Sequence, residues 1–248
     1  MAVYRNKGIV LRSIRYGEAD RILDLYTRDA GLVSAIAKGI RRTKSKFGAR
    51  LEPLSCVEFM AYRGRTLDTL TQAETLRSFH KIREDLVRFE ATARMVGYVR
   101  SLSGGDEADR RVFNLLYHAL DALESRSSGF EAMEAAFGLK LAILAGYAPQ
   151  LDSCVGCDAE LGSAEKALRF APDLGGVLCD GCGGESRDSF PMPPGTLERL
   201  RVAVRLPLRE LPESDRLGEA LRRVARSHVI AHAPSNALGS IGGVGRSA

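Results

Sequence analysis

Residues 7–27 read KGIVLRSIRYGEADRILDLYT: two runs rich in β-branched and aromatic side chains, separated by the Gly- and Asp-bearing turn signal RYGEAD. That composition predicts two short strands joined by a tight connection. The pattern continues through GLVSAIAK (31–38), LSCVEFMAY (54–62) and TLDTLTQAE (66–74), with RDAG and YRGR as further turns. Five short strands within about 75 residues predict a small closed barrel, and its single long gap, Gly39 to Pro53, falls between strands three and four. An oligonucleotide-binding (OB) barrel has this strand count and places a helix or long loop at that point; an SH3-like barrel is the alternative.

From Phe79 the period changes from two to 3.6. Val112, Leu115, Leu116, Ala119, Leu120 and Leu123 form one apolar helix face, and helices are predicted near 80–102, 107–125, 130–146, 194–206 and 215–232. The third is apolar widely enough to be central to a bundle. The fold class expected is therefore α+β and multidomain: an OB barrel at 1–78, a helical domain at 79–150 that continues at 191–235, an inserted cysteine module at 151–190, and a Gly/Ser-rich flexible tail at 236–248.

CVGC (Cys154, Cys157) and CDGC (Cys179, Cys182) are two CxxC turns 21 residues apart, just beyond the usual spacing of about 15–20 in four-cysteine zinc sites. Each turn aims two sulfurs at one point, so two turns close the tetrahedral shell of one structural Zn²⁺ per chain. The intervening ALRFAPDLGGVLC reads as strand, turn, strand, the hairpin of a zinc ribbon. Thiol–disulfide exchange is the competing reading. The fifth cysteine, Cys56, lies in a strand and reads as a small core residue.

The 248 residues carry a formal charge of +5, but residues 1–50 alone hold 12 Lys/Arg against 4 Asp/Glu, a local balance of +8. Much of it sits in KGIRRTKSKFGAR (38–50), six basic residues with no acidic one. Concentrated positive charge points to a polyanion. Lys38, Arg41, Arg42, Lys44 and Lys46 in this run, Arg15 before it, and Arg63 and Arg65 in the loop between strands four and five are the candidate nucleic-acid-binding residues. Tyr16, Phe47 and Tyr62 are the candidates for base stacking. Glu18 and Asp20 read as turn formers or partners of Arg21. No apolar run approaches the roughly 20 residues of a membrane span, and no signal-peptide core is present, so the chain is expected in the cytoplasm.

Three stretches, IVLRSIRYGEADRILDLYT (9–27), GLVSAIAKGIRRTKSKFGARLEP (31–53) and YRGRTLDTLTQAETLRSF (62–79), resemble in order and spacing the N-terminal domain of the bacterial RecO family. The helical middle and the late cysteine module are similar in position. The resemblance implies a recombination mediator of the RecF pathway that binds single- and double-stranded DNA and anneals complementary strands. With RecR, such a mediator helps load RecA on strands coated by single-stranded DNA-binding protein (SSB). It places the family's DNA surface on Lys38, Arg41, Arg42, Lys44 and Lys46, with Arg15, and makes zinc architectural. No membrane or small-molecule partner is implied.

Catalysis finds little support. There is no HExxH, P-loop or nucleophile elbow, and His228 and His232, spaced i, i+4, lie on the apolar stripe of a helix with Leu217, Leu221 and Val224. The chain is therefore read as a binding protein and not an enzyme. A zinc-ribbon, OB-fold RNA-binding or transcription factor is the alternative.

Overall fold

A computed structural model describes residues 2–103, 108–162, 167–184, 186–214 and 216–234. The tail at 236–248 lies outside them. Two compact units are present: Met1–Arg83 with Ser103–Asp121, and Glu84–Leu102 with the chain from Ala122 onward.

The first unit is built on β1 (Val3–Tyr16), β2 (Asp20–Thr27), β3 (Gly31–Ala37), β4 (Cys56–Tyr62) and β5 (Asp68–Arg77), closed in the order β1-β2-β3-β5-β4. All pairings are antiparallel except β3 with β5, which meet in parallel over Ala35–Asp68 and Ile36–Thr69. This is the OB topology. The first strand is longer than its 7–14 signal because it serves two partners, β4 with its first half and β2 with its second. A register shift between Val10 and Arg12 accommodates the change. There Leu54 donates its N–H to the Val10 carbonyl at 2.7 Å, and Val10 donates to Ser55 at 3.0 Å. Leu54 makes this contact with φ 68, a left-handed conformation that costs a non-glycine residue about 1–2 kcal/mol, and its buried side chain helps to offset that cost. The interior is filled by alternate strand residues, among them Val10, Leu23, Leu25, Val57, Phe59 and Leu70.

Two helices belong to this unit. The first, α1 (His80–Glu84), follows Phe79, whose ring meets Tyr117 edge-on at 5.8 Å. Most of α3 (Arg110–Ser125) packs here too, with Tyr26 donating its hydroxyl hydrogen to the Asp109 carbonyl at 3.4 Å and Arg77 paired to Asp121 at 2.8 Å.

In the second unit α4 (Phe130–Leu144) lies against α2 (Leu86–Leu102), α5 (Thr196–Arg205) and α6 (Gly218–His232). It is buried on nearly every side, as its continuous apolar surface requires. The long helix expected from 80 to 102 is two helices, because Asp85 accepts the N–H of Arg88 at 2.9 Å and so caps the start of α2. Glu134 on α4 is fully enclosed in the bundle and accepts from Arg94 Nε at 2.6 Å and from the Tyr98 hydroxyl at 2.8 Å.

Candidate nucleic-acid interface and metal centre

The basic run occupies a succession of turns between β3 and β5's partner β4, with no helix. Its entry is tied to the β1–β2 turn. Gly39 donates its N–H to the Asp20 carboxylate at 2.7 Å, the Arg41 N–H bonds to the Ala19 carbonyl at 2.9 Å, and the Arg41 guanidinium donates to the Glu18 carbonyl at 2.9 Å. Asp20 is thus a loop-fixing acceptor, consistent with its reading as a turn former. At the far end Arg50 donates to the carbonyls of Lys46 and Phe47 at 3.0 and 3.3 Å.

Phe47 corrects the sequence reading. It is 0% exposed and belongs to the barrel core with Leu51, so it is not available to stack a base. It plugs one end of the barrel and pins the loop there, with Lys46 Nζ 5.2 Å above its ring. The i, i+4 spacing of Phe47 and Leu51 was the available signal, hidden by the surrounding charge. Tyr16 and Tyr62, at 53% and 42% exposure, stay open to contact.

Arg15, Lys38, Arg41, Arg42, Lys44, Lys46, Arg63 and Arg65 are all exposed. Among the described residues, the side chains of Arg15, Lys38, Arg42, Lys44 and Arg65 make no hydrogen bond or ion pair. The pairing also sets Arg15 directly opposite Arg21 on the neighbouring strand, an arrangement of like charges that costs free energy unless an anion relieves it. In the β4–β5 loop, Gly64 donates to Asp68 at 2.9 Å, and a Cβ there would lie 1.8 Å from the Leu67 carbonyl oxygen, so only glycine allows the turn. That turn displays Arg63, stacked 5.4 Å from the Tyr4 ring, and Arg65. Burial, and the carboxylate of Asp68 that takes its hydrogen, push the Tyr4 hydroxyl well above its ordinary pKa, so it remains a donor.

The cysteines are gathered by a three-stranded sheet of order β7-β6-β8, formed by β6 (Arg169–Ala171), β7 (Gly176–Leu178) and β8 (Phe190–Pro191). The first knuckle is laced to β7 through Val155 N–H to the Val177 carbonyl (3.0 Å) and Val177 N–H to that of Gln150 (3.1 Å). Gly176 makes this approach possible, since a Cβ would stand 2.5 Å from Val155 and 2.7 Å from the Gln150 oxygen. Arg201 on α5 then holds the knuckle from behind, donating to the carbonyls of Leu151 and Leu161 at 2.9 and 2.8 Å.

The ligand atoms of Cys154, Cys157, Cys179 and Cys182 all lie within 4.8 Å of one another, and none is in a disulfide. Four sulfurs about 2.3 Å from a tetrahedral ion would stand roughly 3.8 Å apart, and the Cys157 and Cys179 sulfurs are separated by 3.8 Å. Burial works against a thiolate at Cys154, yet the N–H groups of Cys179, Gly156 and Cys157 bring its pKa down to about 6. The donor set therefore fits a metal ion, held in a closed four-sulfur shell. Cys56 is buried in β4, and burial lifts its thiol to about 11, as suits a core residue.

His228 is buried and donates from Nε2 to the Tyr147 carbonyl at 2.8 Å, leaving Nδ1 without a hydrogen-bond partner. His232 turns back on the His228 carbonyl at 2.8 Å. Burial lowers the His228 pKa, and the nearby His232 lowers it further, against the opposing pull of the Tyr147 carbonyl. The unfolded chain takes up this proton at about pH 6.5, before the folded chain does, so stability held by neutral His228 is complete above that value and drains away as pH falls toward the folded-state pKa. Urea midpoints should show it: the stability advantage of wild type over His228→Gln shrinks between about pH 7.5 and 5.5, and an advantage independent of pH would refute the assignment.

Family models described as recombination protein O N terminal and recombination protein O C terminal match residues 1–79 and 83–234. A DNA repair protein RecO of Rubrobacter xylanophilus is 64% identical over 96% of this chain and 95% of its own length. Proteins of the same name from Symbiobacterium thermophilum and Alkaliphilus metalliredigens are 37% and 33% identical, over 81% and 92% of this chain and 79% and 93% of theirs.

Proposed function

The chain belongs to the recombination protein O family of DNA repair and recombination proteins, and from that premise we propose that it is a non-enzymatic recombination mediator. It binds single- and double-stranded DNA, anneals complementary strands, and together with RecR promotes RecA loading on strands coated by SSB. Its place is the cytoplasm, on the nucleoid; among the described residues no helix is long and apolar enough to cross a membrane.

The observation that carries this reading is the exposed set of cations around the barrel: Lys38, Arg41, Arg42, Lys44 and Lys46 on the loop whose ends are pinned, with Arg15 near the end of β1 and Arg63 and Arg65 in the β4–β5 turn. With the loop's backbone held at both ends, only the side chains remain to be ordered on phosphate. Annealing needs no nucleophile, because neutralising two backbones reduces their repulsion and base pairing supplies the driving force. The barrel and its loops act on DNA, and the helical unit carries the protein contacts. The metal is Zn²⁺, one per chain, held by Cys154, Cys157, Cys179 and Cys182; it supplies a tetrahedral cross-link and no open coordination position.

Reversing the charge of Arg41, Arg42 and Lys44 together should weaken single-strand binding for every sequence alike. It should also flatten the dependence of log K on log salt by about 0.7 for each lost contact. An annealing assay with complementary oligonucleotides, with and without SSB, tests the mediator role directly. An unchanged salt slope would remove the loop from the interface, and preference for RNA without annealing would favour an RNA-binding protein instead.

A further inference from the structure

The four sulfurs of the cysteine cluster do not share the same surroundings. Cys154 is 0% exposed and Cys182 is buried, whereas Cys157 is exposed and Cys179 half-buried. The two accessible sulfurs come one from each knuckle and stand 3.8 Å apart. Cys154 is held inside by more than packing. Its sulfur accepts the N–H of Gly156 at 3.4 Å and that of Cys179 at 3.3 Å, and its side chain belongs to the core that contains Leu139 and Leu200.

A cysteine that ligates zinc is a thiolate, and an accessible thiolate is the form that peroxides attack. Among the described residues Cys157 is the only exposed cysteine; Cys56 is buried in the other unit.

We propose that Cys157 is a site of oxidation by peroxides and that Cys179 resolves it across the two knuckles, so that zinc leaves while the knuckles stay joined. The inference rests on the zinc reading above. The Cys157 thiolate attacks one peroxide oxygen, the O–O bond breaks, and the sulfur becomes a sulfenic acid as hydroxide departs. The Cys179 thiolate then attacks the Cys157 sulfur; the S–S bond forms, the S–O bond breaks, and a second hydroxide departs. With two protons from solvent, one peroxide is reduced to two waters and two thiolates are oxidised to one disulfide.

The choice of partner follows from where the sulfurs lie. A bond between Cys154 and Cys157 would draw the Cys154 sulfur out of the core and away from both N–H donors, and Cys182 is likewise buried. Cys179 has only to close the gap from 3.8 Å to the roughly 2.05 Å of a disulfide. The sulfurs left over, Cys154 and Cys182, are too few for a tetrahedral ion. The new bond crosses the gap that the metal spanned, and the hydrogen bonds from Val155 to Val177 and from Cys179 to Cys154 remain in place. Oxidation thus exchanges one cross-link for another, which chelation does not.

The test uses the full chain as purified with its zinc, hydrogen peroxide as oxidant, and three readouts: zinc freed to a chromogenic chelator, non-reducing peptide mapping, and helical signal. Zinc should be freed, the map should join Cys157 to Cys179, and Cys56, Cys154 and Cys182 should stay open to alkylation in denaturant. Helical signal should stay close to its starting value, in contrast to its fall when a strong chelator strips the metal. Cys157→His keeps a shell of three sulfurs and one nitrogen and should release zinc at least about tenfold more slowly at the same peroxide concentration. Zinc retained under peroxide, release as fast from the histidine variant, disulfides confined within CVGC and CDGC, or a helical loss equal to that on chelation would each overturn the inference alone. Purified wild type without zinc would overturn the zinc reading and this inference with it.

Discussion

Removing the proposed zinc from the purified chain should unfold the cysteine module and loosen the helices packed on it. Structural zinc in small modules supplies on the order of 10 kcal/mol of apparent folding free energy, and three short strands of two or three residues have little else to hold them. The damage does not stop at the module. Cys154 and Cys182 share one core with Leu139 of α4, Leu200 of α5 and Leu221 and Val224 of α6. Metal analysis should return one zinc per chain, and a chelator should cause cleavage by a protease within 150–192 together with a fall in helical signal. Purified protein containing no metal, with four reactive thiols and an undiminished melting temperature, would refute the site.

Glu134→Ala should cost about 1–3 kcal/mol, because it leaves the buried Tyr98 hydroxyl without its acceptor and the half-buried Arg94 with only Glu90, at 3.6 Å, as partner. The charge itself is not what the bundle needs. Burial raises the Glu134 pKa in spite of Arg94 and Tyr98, so ionising it is harder in the folded chain than in the unfolded one, and this contribution to stability is present below the unfolded pKa and lost as pH rises through the folded one. Glu134→Gln, which keeps the shape and an acceptor for Tyr98, should therefore cost less than half as much as alanine. Denaturant midpoints decide the matter; equal losses from the two substitutions would mean that the ion pair and not the hydrogen-bond geometry dominates.

The barrel was legible because its strands announce themselves by composition and its turns by Gly and Asp, and because a single long gap has only one place in an OB topology. The two CxxC turns were legible for a similar reason: the chemistry of a metal shell dictates spacing directly. What stayed hidden depends on contacts distant in sequence. Phe47 sits in a run of cations, and only the closed barrel shows that its ring is inside. The shift at Val10–Arg12 is demanded by β1 having two partners, which no local pattern encodes. Strand β8, two residues long, carries too little sequence to signal itself.

The burial of Phe47 and Leu51 gives the two parts of the basic loop unequal freedom to vary. Positions 42–46 form a tip whose charges can be exchanged or rearranged at little cost to the barrel, whereas an insertion or deletion between Phe47 and Leu51 shifts one hydrophobic plug relative to the other and opens the barrel's end. Across related chains, drift in the identity of the cations and constancy in the distance between the two plugs is the pattern that this division of labour would leave.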